Sequence, residues 1–94
     1  MIQSNYIHSD RILSSIYADA VNKFMSKAEH QLCFDEICGY VHRKLQHKKQ
    51  DAYTNSLAIV KEVCQKVGEN FDGCVEYYAP NAKCYRDIYF AIYN

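Results

Sequence analysis

The hydrophobic pattern of this 94-residue chain changes period once, near residue 70. From Asp10 to Gly68 apolar residues recur at spacings of three and four, the repeat of an α-helix. From Cys74 to Tyr93 they alternate, which is the repeat of a half-buried strand. A chain that switches in this way is expected to fold as α+β, with a three-helix core over 10–68 followed by a β-hairpin over 74–93 and preceded by a flexible lead over 1–9. Its length suits one domain, and a domain of this size hides only about 60 to 65% of its unfolded surface, which leaves little room for a deep enclosed pocket. Hydrophobic residues make up 49% of the chain, with one Pro and three Gly, so a folded globule is expected rather than disorder.

The first helix is read from Asp10 to about Glu29. Ile12, Ile16, Ala20, Val21, Phe24 and Ala28 gather on one face, and Ser9 or Asp10 is placed to cap the first turn. The second runs from Phe34 or Asp35 to Gln46 on the stripe Phe34, Ile37, Cys38, Val41 and Leu45, with Asp35 and Glu36 favoured by the dipole at its start. His47, Lys48, Lys49 and Gln50 form a short polar turn. The third helix carries Tyr53, Leu57, Val60, Cys64 and Val67 and is expected to stop near Gly68.

In the tail, Val75 to Tyr78 and Cys84 to Ile92 are read as strands joined by Ala79, Pro80, Asn81 and Ala82, where Pro and Asn suit the central positions of a type I turn. Tyr85, Ile88, Tyr89 and Ile92 also fit a helical stripe. The alternative is therefore an all-α module with helices over 70–78 and 81–93.

Leu32-Cys33-Phe34-Asp35-Glu36-Ile37-Cys38-Gly39-Tyr40-Val41 resembles the start of the second helix in winged helix-turn-helix proteins, where a short strand and an acidic cap precede an Ile and a Val on the buried face. Ser56 to Gly68 is similar to the third helix of such domains, and Cys74 to Tyr93 stands where they carry two wing strands. The resemblance implies duplex DNA as the partner and a regulatory, non-enzymatic role. The wing turn departs from the pattern by carrying Lys83 as its lone cation. A competing resemblance, of Leu57 to Phe71 to a helix of VHS, ENTH or HEAT-type arrays, implies a protein-binding module instead.

On the DNA reading, the third helix presents Asp51, Thr54, Asn55, Ala58, Lys61 and Gln65 away from the core. Asn can pair with adenine, Thr can touch a base edge, and Ala58 permits close approach to the groove. Arg43, Lys44, Lys48, Lys49, Lys61 and Lys83 are the candidate phosphate ligands, with Gln50 beside them. Eleven basic residues balance eleven acidic ones, so any attraction to nucleic acid must be local. On the protein-binding reading, Tyr85, Tyr89 and Tyr93 form an interface to a partner such as a host protein, as in small viral or phage proteins, or to a second copy in a homodimer.

His30, Cys33, Cys38 and His42 offer zinc-type donors at close spacing, but Cys38 belongs to the apolar stripe and no glycine-rich turn lets the loop wrap a metal. No cofactor or metal is expected. No nucleophile stands at a helix start beside a base, and no phosphate loop is present, so catalysis is not expected. Without a signal-like start or a run long enough to span a bilayer, the chain is expected to be intracellular with reduced cysteines.

Overall fold

The computed structural model describes residues 5–27 and 31–79. The elements follow in the order α1 (Asn5–Ser9), α2 (Arg11–Lys27), β1 (Gln31–Cys33), α3 (Phe34–His47), α4 (Ala52–Asn70) and β2 (Glu76–Tyr78). The protein is thus mostly helical with a small two-stranded sheet, an α+β fold at the coarse level.

The polarity of the first residues gives no hint of α1, yet its Ile7 is fully buried. Asp10 then separates α1 from α2. Its Oδ1 accepts hydrogen bonds from the backbone N–H of Ile12 (2.9 Å) and Leu13 (3.0 Å), which satisfies amides that the first turn of α2 leaves open. The buried stripe of α2 is Leu13, Ile16, Ala20 and Phe24. Ile12, expected in that stripe, is 38% exposed, because Leu13 lies closer to the line of the other three.

Helix α3 buries Phe34, Ile37, Cys38, Val41 and Leu45, as its period requires. It ends in a Schellman closure. Lys49 N–H donates to the Gln46 carbonyl (3.0 Å) and Gln50 N–H to the Leu45 carbonyl (2.9 Å), with Lys49 in the left-handed region at φ 56°. Asp51 caps α4 by accepting from the Tyr53 N–H at 3.2 Å.

Helix α4 packs against both α2 and α3. Its buried residues, Ser56, Ala58, Ile59, Val60, Val63, Cys64 and Val67, form a broad arc. Tyr53 and Leu57, expected in the core, sit at its margin instead: Tyr53 is exposed and Leu57 half-buried. The helix ends near Gly68. Its last residue is Asn70, and a second Schellman closure joins Gly73 N–H to the Gly68 carbonyl and Asp72 N–H to the Glu69 carbonyl, with Asp72 (φ 55°) and Gly73 (φ 74°) left-handed.

Residues 76–78 are extended, as the alternation predicts, but their partner among the described residues is β1. The strands run parallel in the register Gln31↔Glu76, Leu32↔Tyr77 and Cys33↔Tyr78. A parallel pair needs a crossover connection, and the α3–α4 pair provides it. The Tyr77 hydroxyl donates to the Cys64 carbonyl at 2.6 Å and so ties β2 to the flank of α4. A helix over 70–78, required by the all-α alternative, is therefore overturned. The remainder of the expected hairpin, Pro80 to Tyr93, lies outside the described residues.

Candidate functional site

Helices α3 and α4 are joined by the turn 48–51. Lys48 and Lys49 are exposed in that turn and make no ion pair among the described residues. The Schellman closure fixes their backbone, and the Gln50 side-chain amide donates to the Lys48 carbonyl at 3.4 Å. Past the cap, Tyr53 (63% exposed) and Thr54 stand in the first turn of α4. Lys61 follows half-buried two turns later and Gln65 is exposed.

The inner part of the expected reading face needs correction. Ala58 is only 6% exposed and belongs to the core cluster, and Asn55 is half-buried. Helix α1 reaches the same flank of α4. His8 Nε2 lies 3.9 Å from Glu62, an ion pair when the imidazole is protonated. The Tyr6 phenol has its pKa raised by burial and by the charge of Asp51. Asp51, Asn55, Ala58 and Glu62 follow the helical spacing along one flank of α4, and α1 lies against that flank. What remains for a partner is the strip Tyr53, Thr54, Lys61 and Gln65.

Arg43 and Lys44, expected to act with Lys48 and Lys49, belong to a different surface. Arg43 lines a groove of about 440 Å³ between α2 and α3, opposite Lys23 and Lys27. Lys44 pairs with Asp19 at 3.6 Å. Its ammonium and that of Lys23 lie 5.4 and 5.1 Å from the centre of the Tyr40 ring, which itself meets Phe24 edge-on at 5.7 Å. Lys44 is held in its charged form above the ordinary lysine range, first by Tyr40 and then by Asp19. Lys23 and Lys27 were not among the expected basic residues. Their i, i+4 spacing on the polar face of α2 is the one sequence signal that points to them.

Of the zinc-type donors, three lie among the described residues. Cys38 is fully buried in the core, and burial drives its thiol pKa far above the ordinary value. Cys33 is half-buried at the end of β1, His42 is half-buried on α3, and His30 lies outside the described residues. No group of three or more His, Cys, Asp or Glu among the described residues is placed to hold a metal ion. Lys83, Tyr85, Tyr89 and Tyr93 also lie outside the described residues. Within them, no helix is long and apolar enough to cross a membrane. Comparison of the chain with protein-family models, curated proteins and solved structures finds no match.

Proposed function

We propose that this chain is a small, non-enzymatic DNA-binding protein that meets duplex DNA with the α3–α4 turn and the outer strip of α4. The observation that carries the reading is the pair of exposed cations, Lys48 and Lys49, held without an ion-pair partner among the described residues beside the open first turn of a second helix. Each ammonium on a phosphate releases condensed counterions, which gives affinity without sequence preference. Thr54 then stands where a side chain can reach a base edge, and Lys61 and Gln65 extend the contact along the groove. The succession of helix, short strand, helix, turn, helix and strand supports the winged helix-turn-helix reading of the fold. A single module with so few cations binds weakly, so the working form on DNA is a pair of copies acting as a regulator.

Charge reversal tests this directly. Lys48→Glu with Lys49→Glu removes retention on duplex DNA at low salt and leaves the circular dichroism spectrum unchanged; full retention by that variant contradicts the proposal.

A second reading rests on the exposed aromatic rings of Tyr6 and Tyr53. Exposed tyrosines suit a protein contact, either with a partner or with a second copy. In that case Tyr53→Ser lowers the solution mass or partner capture while the charge-reversed variant behaves as the parent does.

A further inference from the structure

We propose that the groove between α2 and α3 is a separate binding site for a small phosphorylated ligand whose body carries hydroxyl or amino groups. Four observations converge on it. The first is size, since about 440 Å³ falls in the range of pockets that enclose one small organic molecule. The second is charge. Lys23 and Lys27 face the groove from α2 and Arg43 from α3, and among the described residues none of the three has a carboxylate within ion-pair distance. Three cations on one groove, none of them in an ion pair among the described residues, fit a phosphomonoester, and the planar guanidinium can bind two of its oxygens at once.

The third observation concerns the carboxylates of the same lining. Asp35 and Glu36 line the groove at the start of α3, and carboxylates there accept hydrogen bonds from hydroxyl or amino groups. A bare phosphate has no use for them, whereas a sugar phosphate or a nucleotide carries such groups beside its phosphate. The fourth is Gly39. Glycine inside a helix is unfavourable, yet Gly39 sits mid-helix in α3 on the groove wall. A methyl group at that position would lie 3.3 Å from one Arg43 guanidinium nitrogen. The missing side chain thus leaves space into which Arg43 folds, next to the Tyr40 ring that forms part of the wall.

No residue of α4 lines this groove, so it is distinct from the proposed DNA surface. Ribose 5-phosphate, adenosine 5′-monophosphate and inorganic phosphate, titrated into the isotope-labelled protein, provide the test. At least one organic phosphate is expected to bind about tenfold or more tightly than inorganic phosphate, the difference of one charged hydrogen bond. Amide shifts are expected at Lys23, Lys27, Gly39, Tyr40 and Arg43. A tighter nucleotide assigns the extra contact to a planar ring on the aromatic wall, and equal affinities assign it to the sugar hydroxyls; both support the site.

Arg43→Gln should weaken binding about tenfold. Gly39→Ala, which helix propensity favours and which therefore leaves the fold in place, should weaken it too by pushing the guanidinium aside. Lys48→Glu with Lys49→Glu should leave it unchanged, so the outcome is independent of DNA binding. Absence of binding at millimolar ligand, equal affinity for inorganic phosphate, or shifts centred on residues 48–54 overturns the assignment.

Discussion

Helices α2 and α4 are of similar length and similar overall hydrophobicity, yet they are buried differently. The buried residues of α2 fall on one narrow stripe of four, Leu13, Ile16, Ala20 and Phe24. Those of α4 fill a broad arc of seven that includes adjacent pairs such as Ile59 and Val60, or Val63 and Cys64. The number of neighbours does not set the difference, since α2 itself packs on α1, α3 and α4. Helix α4 packs on α2 and α3, and Tyr77 of β2 bonds to one of its carbonyls. A helix buried over so broad an arc has little outer face left for a partner. The proposed DNA contact is confined to that remainder.

The largest expected effect concerns Ile59, which a single-stripe reading leaves outside the core. Ile59→Ala should destabilise the fold by about 2 to 5 kcal/mol, and Ile12→Ala on α2, though chemically identical, by about 0.5 kcal/mol or less. Denaturant midpoints check the pair. Equal costs would mean that α4 is no more enclosed than α2.

Next comes alkali. Burial pushes the Cys64 thiol up to about 12 and raises that of Cys38 further. In the unfolded chain a thiol ionises from about pH 9 upward. The unfolded state therefore binds fewer protons than the folded state above that point, and stability falls as pH rises from 9 towards 12. The loss at pH 10 is on the order of 1 kcal/mol for each of the two thiols. Cys38→Ala with Cys64→Ala should remove this alkaline slope even though it lowers stability at neutral pH. An unchanged slope would place the thiols in contact with water.

The smallest effect is at the strand. Tyr77→Phe removes the hydroxyl that donates to the Cys64 carbonyl and should cost about 1 kcal/mol in thermal or denaturant unfolding. A neutral substitution would show that β2 does not brace α4.

The same comparison explains what was legible in the sequence. Period alone located α2, α3 and α4 to within a few residues, and the α3 stripe was correct throughout because that helix buries a single face. The exact face of α4 was not legible. Its neighbours come from α1, α2, α3 and β2, and none of their positions is encoded within the segment itself. Helix α1 escaped notice because it is shorter than two turns, offers too few residues to display a period, and is anchored chiefly by Ile7. The extended character of residues 76–78 was legible from alternation, while the choice of β1 as a parallel partner was not, because pairing partners are fixed by the α3–α4 crossover rather than by local pattern.

At the candidate sites the split was similar. Lys48 and Lys49 stood out as a run of like charge in a polar turn, and they are exposed there. Arg43 and Lys44 belong to the same run in sequence but point to another face, since successive residues of a helix diverge by about 100°. The spacing of Lys23 and Lys27 puts them on one face of α2, but only the packing of α2 on α3 brings that face to Arg43.

The central proposal is that Lys48 and Lys49, which make no ion pair among the described residues, contact DNA phosphates. It is tested most directly by the dependence of duplex DNA affinity on salt, compared between the parent chain and the neutralised variant Lys48→Gln with Lys49→Gln. Loss of two phosphate contacts predicts a logarithmic slope smaller in magnitude by about 1.8. Identical slopes would contradict the account.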